Sequence, residues 1–184
     1  MNKIRCNWAG NDVLYQNYHD EEWGRPEHDD RKLFELLILE GFQAGLSWIT
    51  ILRKREDFRA CFEQFDYQIL AQWQNNQLEA CMLNPKIIRN RLKIYAVKSN
   101  AQAFMKIQEK SGSFDQYIWS FVDFKPIKNH FSHHNELPAA TELSIEISRS
   151  LKKAGFKFIG PTIVYAFMQA SGMVNDHVKD CFCY

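Results

Sequence analysis

The chain has 184 residues, enough for one domain or a compact two-lobed unit to bury a sizeable core without disulfides. Its 23 basic and 22 acidic residues exclude a global electrostatic field, so any nucleic-acid surface must be a local patch. No apolar run approaches the ~20 residues of a membrane span, and five cysteines with no leader ahead of Cys6 predict a soluble protein of the reducing cytoplasm.

The first chemistry-bearing residues are Cys6 and His19, which a loop must bring together. Around them Trp8, Tyr15, Tyr18 and Trp23 interleave with the charged run Asp20-Glu21-Glu22, which reads as solvated or as helix-capping charge. Residues 31–46 carry Leu33, Leu36, Leu37, Glu40 and Ala44 on one helical stripe, with Asp29 or Asp30 at the N-cap. A second helix is expected from Thr50 to Phe62, and short ones over Tyr67–Gln72 and Gln77–Met82. Asn84-Pro85 reads as an N-cap and first helical residue opening a long helix through Ile87, Ile94 and Phe104. Ser111-Gly112-Ser113 breaks the chain before Phe114–Val122, and Phe124 to Pro138 is the long irregular loop. Helices follow over Thr141–Lys153 and Pro161–Ala170. No strand alternation persists and no repeat is present, so the fold is expected to be all-α.

Near the C-terminus, His177 and Cys181 share a face if the tail is helical. With Cys6 and His19 they supply four soft or borderline ligands, a set that zinc binds tetrahedrally. The spacing is not that of a standard finger, and two ordinary thiols with two surface imidazoles fit it equally well.

Glu40 lies within Leu36-Leu37-Ile38-Leu39-Glu40-Gly41-Phe42, where a solvated carboxylate is not expected. Buried without a partner, it would titrate high, as groups at functional sites do; a buried ion pair to a nearby Arg or Lys is the other reading. Flat rings near such a carboxylate suit a planar heteroaromatic ligand, although simple packing explains Trp8 and Trp23 equally well. Farther on, Leu151 to Thr162 reads as a helix end, a Gly-bounded turn and a new helix start, with Lys152, Lys153 and Lys157 adding charge that suits a phosphate. Lys86, Arg89, Arg91 and Lys93 form a second basic cluster that either reaches the same backbone or is solvated.

Taken together, Cys6-Asn7-Trp8, Tyr18-His19-Asp20-Glu21-Glu22-Trp23-Gly24, Leu39 through Trp48, Gly155-Phe156-Lys157-Phe158-Ile159-Gly160 and Val174-Asn175-Asp176-His177 resemble the 3-methyladenine DNA glycosylase I family from about Cys6 to Tyr184. The resemblance implies an all-α, two-lobed helix-hairpin-helix fold over 1–184, with the hairpin at about 143–171. It implies a DNA-repair enzyme that flips 3-methyladenine out of alkylated double-stranded DNA and hydrolyses its N-glycosidic bond, leaving an abasic site. It further implies a structural Zn2+ on Cys6, His19, His177 and Cys181, with Cys183 a nearby spare. Glu40 becomes the catalytic residue reading the base, with Tyr18, Trp48, Trp8, Tyr15 and Trp23 as base-binding walls. Gly45 and Leu46 look like the wedge filling the vacated gap, and Lys153, Gly155, Lys157, Gly160 and Thr162 like the DNA contacts of the hairpin. Thr162 stands where lyase-type relatives carry a nucleophilic lysine, and Asn175, one residue before Asp176, where most relatives carry a catalytic Asp, so the activity should be monofunctional. A monomer is the expected state. The rivals are a non-catalytic DNA-binding module on the same hairpin and a zinc hydrolase with an open coordination position.

Overall fold

The structure, a computed structural model, describes residues 3–184. A short 3-10 turn at Asn7–Ala9 leads into α1 (Val13–Glu21), whose N-cap Asp12 accepts from Tyr15 N–H, and α2 (Asp30–Gln43), whose N-cap Asp29 accepts from Lys32 N–H. Asp29, not Asp30, therefore caps α2. Asp30 instead accepts from the backbone N–H groups of Phe114 and Asp115, and so ties the start of α2 to a later helix. Every residue of α2 from Leu33 to Phe42 is buried, so this helix is sealed on all sides rather than along one stripe.

The helix expected over Thr50–Phe62 divides into α3 (Trp48–Arg53) and α4 (Arg55–Cys61), because Lys54 sits at φ −103°, ψ 2° between them. α5 (Tyr67–Gln72) and α6 (Asn75–Leu83) follow. The long helix expected from Asn84-Pro85 starts later, as α7 (Arg91–Ser111), with Asn90 as N-cap accepting from Lys93 N–H. Asn84 ends α6 in extended backbone and spends its side chain on Lys86 N–H, a local turn that competes with helix initiation there. α8 (Phe114–Trp119) packs on α7.

The loop after α8 contains β1 (Ile127–Lys128), which pairs in parallel with β2 (Val174–Asn175) at Ile127↔Val174 and Lys128↔Asn175. The expectation of no strand is thus corrected by one two-residue ladder. The pairing is non-local, and neither segment alternates long enough to be read from its own residues. The tail after Asn175 is not helical: Lys179 N–H donates to Phe131 O, and Phe182 N–H donates to Ile4 O beside the N-terminus. α9 (Glu142–Ala154) ends on Gly155 at φ 107°, a left-handed position that favours glycine, and α10 (Pro161–Ala170) returns against both α9 and α2. Among the described residues, no helix is long and apolar enough to cross a membrane.

Candidate active site and metal cluster

A cavity of about 220 Å³ opens where α1, α2, α3 and α10 meet, lined by Trp8, Tyr15, Tyr18, Trp23, Glu40, Gln43, Trp48, His134, Ala166 and Gln169. All six residues read from the sequence as pocket candidates are here. Tyr15 and Tyr18 are three apart on α1 and so share a face, Glu40 comes from the last turns of α2, and Trp48 opens α3. Trp8 lies 4.9 Å from Tyr15 and 5.0 Å from Trp23, ring centre to ring centre, and Tyr18 lies 5.5 Å from Trp48.

Glu40 is 3 % exposed, its Oε2 has no hydrogen-bond partner, and burial alone pushes its carboxyl up to about 8. The indole N–H of Trp48, in the same wall, is also buried without a partner. Most buried polar atoms are hydrogen-bonded, so an orphaned acceptor and an orphaned donor on one cavity mark a place prepared for a ligand with both functions. Burial, followed by the nearby Glu40 charge, also raises the Tyr15 and Tyr18 hydroxyls.

Gln43, His134, Ala166 and Gln169 were not singled out from the sequence. Gln43 was within reach, because it follows Glu40 by three residues and shares its helix face. Gln169 is held by a contact no spacing announces: its amide donates to Asp176 Oδ2 at 2.8 Å. Tyr165 OH donates to the same oxygen at 2.5 Å, and Asn129 Nδ2 donates to Oδ1 at 2.6 Å. Asp176, 1 % exposed, therefore has both oxygens hydrogen-bonded and stands behind Gln169 rather than in the cavity lining, and Asn175 accepts from His177 N–H.

The two terminal Cys/His pairs meet. One ligand atom each of Cys6, His19, His177 and Cys181 lies within 4.8 Å of the others, and all four residues are buried. Cys181 Sγ is 3.4 Å from His19 Nε2 and 3.5 Å from His177 Nδ1, and Cys6 Sγ is 3.6 Å from His177 Nδ1. A tetrahedral ion with bonds of about 2.3 Å to sulfur and about 2.0 Å to nitrogen sets such pairs about 3.5 Å apart. The second ring nitrogens are also placed for ligation: His19 Nδ1 is 2.9 Å from Asp20 Oδ1, and His177 Nε2 is 3.1 Å from Trp23 O. Arg5 grips Asp20 through two bonds of 2.8 Å. Burial pushes His177 down to about 4, so the histidine is neutral, as a ligand must be, whereas it pushes the Cys6 thiol up to about 12, so that the thiolate needed for ligation depends on the charge of the bound cation. The donor set fits a metal ion, and the site adjoins the aromatic wall: Trp23 lies 4.7 Å from His177 and Trp8 lies 5.2 Å from His19.

The α9–α10 turn sits on α2. A Cβ on Gly41 would stand 3.3 Å from Phe158 O, which explains the glycine beside Glu40. Asn100 of α7 fixes the turn by accepting from Lys157 N–H at 2.8 Å and donating to Lys157 O at 3.1 Å. Lys153, Lys157 and Thr162 are exposed around it, and Gly160 is the N-cap of α10. Gly45, at φ 85°, and Leu46, 44 % exposed, leave the end of α2 toward solvent. The second basic cluster is largely engaged elsewhere: Lys93 caps α2 through Phe42 O and Ala44 O, and Arg91 pairs with Glu79.

A family model described as methyladenine glycosylase matches residues 8–184. The chain is 49% identical over 180 residues to DNA-3-methyladenine glycosylase 1 of Escherichia coli (strain K12), covering 98% of this chain and 96% of that protein. A crystal structure of 3-methyladenine DNA glycosylase I superposes with a TM-score of 0.96 at 50% identity, covering 98% of this chain and all of that one (100%). The Staphylococcus aureus 3-methyladenine DNA glycosylase I, whose structure describes 3-methyladenine recognition, gives a TM-score of 0.94 at 38% identity over 97% of this chain and 95% of its own.

Proposed function

The chain belongs to the methyladenine glycosylase family, and from that membership and the pocket we propose that it hydrolyses the N-glycosidic bond of 3-methyladenine in alkylated double-stranded DNA. The observation that carries this reading is the buried, unpartnered carboxylate of Glu40 on a ring-lined cavity. A base in a duplex is out of reach inside the stack, so it flips into the pocket at a cost of about a few kcal/mol. Tyr18, Trp48, Trp8, Tyr15 and Trp23 supply flat apolar walls for it.

Methylation at N3 makes adenine cationic while it is attached to the sugar, so it departs as a neutral base and needs no strong acid. The empty pocket holds Glu40 protonated near neutrality, and a rise from 4.5 to about 8 corresponds to roughly 5 kcal/mol against its charged form. A cationic base brings the opposite charge that offsets this and lets the carboxylate accept from the exocyclic amine. Ordinary adenine is neutral and brings none. Selectivity for the damaged base then follows from leaving the wrong base beside an uncompensated or unpaired group. The same carboxylate stabilises positive charge developing on the sugar.

The α9–α10 segment, about 143–171, serves as a helix-hairpin-helix, with Lys153, Gly155, Lys157, Gly160 and Thr162 facing the DNA backbone and Gly45 with Leu46 filling the gap left by the flipped base. With Thr162 in place of a nucleophilic lysine the enzyme is monofunctional. Cys6, His19, His177 and Cys181 hold a structural Zn2+; four protein ligands leave no open position for hydrolytic chemistry and secure the aromatic segment against the tail. The chain acts as one domain of two helical lobes over 1–184, as a cytoplasmic monomer alongside the chromosomal DNA. Chromatography of bases released from methylated duplex DNA tests the activity: free 3-methyladenine and abasic sites are expected, whereas binding without release would make the protein a DNA-binding module.

A further inference from the structure

Two cysteines outside both sites touch each other. Cys61 ends α4 and Cys81 lies on α6, and their sulfurs are 2.7 Å apart with both thiols free. Cys61 is half-buried, whereas Cys81 is 4 % exposed. Cys61 is thus the more exposed residue of the pair. Neither residue lines the Glu40 cavity or belongs to the metal cluster.

We propose that Cys61 and Cys81 form an oxidation site for hydroperoxides, with Cys61 as the reacting thiol and Cys81 as the resolving one. Cys61 thiolate attacks a peroxide oxygen, the O–O bond breaks, and Cys61 becomes a sulfenic acid as one water or alcohol departs. Cys81 sulfur then attacks the sulfenic sulfur, the S–S bond forms, and a second water leaves with the Cys81 proton. Two thiols lose two electrons and two protons, and the peroxide is reduced by the same two electrons.

The order of reaction follows from the surroundings. The Cys81 S–H, then the Asn84 side chain, hold the Cys61 thiol below its ordinary value against the effect of burial, while Cys81 itself is pushed up. The thiol of the more exposed residue reacts first. The product links α4 to α6 around α5 and removes conformational freedom from the unfolded chain, leaving the pocket as it was.

The test treats the zinc-loaded full-length protein with hydrogen peroxide, alkylates the remaining thiols, and maps peptides without reduction. Expected are a Cys61–Cys81 cross-linked peptide, loss of alkylation at both positions, recovery of both thiols on reduction, and a higher unfolding midpoint than a Cys61→Ser variant treated alike. In Cys81→Ser, the Cys61 sulfenic acid should persist long enough for a dimedone trap. The mapping of the unaltered protein decides even if that variant fails to fold. Continued alkylation of Cys61 and Cys81 after peroxide, or Cys61 recovered as a sulfinic acid with Cys81 still a thiol, would overturn the proposal.

Discussion

Glu35 and Glu40 are both buried on α2, and only Glu35 has partners. Arg55 Nε reaches Glu35 Oε1 at 2.6 Å and Arg59 Nη2 reaches the same oxygen at 2.8 Å, whereas Glu40 Oε2 has none. One helix thus carries a structural carboxylate and one kept for a ligand, and the two respond differently to substitution.

Removing the Glu35 charge leaves Arg55 with Glu22 alone and Arg59 with Glu56 alone. Glu35→Gln should destabilise the protein by roughly 2–3 kcal/mol, less than a fully buried pair would, because both arginines are partly solvated. Urea unfolding near neutral pH measures this, with an unchanged m-value marking a true stability loss.

Glu40 should make the protein less stable as pH rises. Its folded pKa, about 8, lies above the unfolded 4.5, so the native state holds a proton that the unfolded chain has lost across that interval. The stability contribution is complete below about pH 4.5, declines up to about pH 8 and is then lost, a total of roughly 5 kcal/mol. Glu40→Gln should flatten this part of the profile and gain relative to the unaltered protein toward alkaline pH. Unfolding free energies measured across that range for both proteins provide the check.

The metal cluster should hold one zinc per chain, and its loss should release the aromatic wall. Cys181→Ser, or strong chelation, should remove the metal, lower stability by roughly 3 kcal/mol or more and reduce base binding with it. Cys183→Ser should retain zinc, because Cys183 lies outside the four buried ligands, although its thiol stands near His19 and Asp20 and its backbone N–H donates to Cys181 Sγ. Metal content and thermal unfolding of the two variants separate these outcomes. Folding and stability intact without zinc, with only the chemical step gone, would mean that the ion is catalytic.

Asn100 should control the hairpin at a distance from the DNA. Asn100→Ala leaves both Lys157 backbone groups without a side-chain partner and should cost about 1–3 kcal/mol. Duplex affinity should fall more than affinity for free 3-methyladenine, because the turn is remade while the cavity walls remain. Binding isotherms for both ligands at one salt concentration test the difference.

The order of the helices and the oddity of Glu40 could be read from period and capping, because those signals are local. Five kinds of feature could not. The split at Lys54 and the late start of α7 at Asn90 depend on how neighbouring turns use their side chains, which apolar spacing does not record. The β1–β2 ladder joins segments far apart in the chain. The unpaired state of Glu40 was undecidable while Arg55 and Arg59 were equally available to either glutamate in the sequence. Convergence of Cys6, His19, His177 and Cys181 owed nothing to a helical tail: the turn after His177 returns Cys181 through its N–H to Val178 O. Gln169 and His134 entered the pocket through tertiary placement, with no motif to announce them.

The central claim is that the unpartnered Glu40 carboxylate reads and helps release the flipped base, and single-turnover release of 3-methyladenine from methylated duplex DNA by Glu40→Gln tests it most directly. The rate should fall by about 10²-fold or more, with zinc content, folding and duplex affinity unchanged. Release at the rate of the unaltered protein would contradict the account.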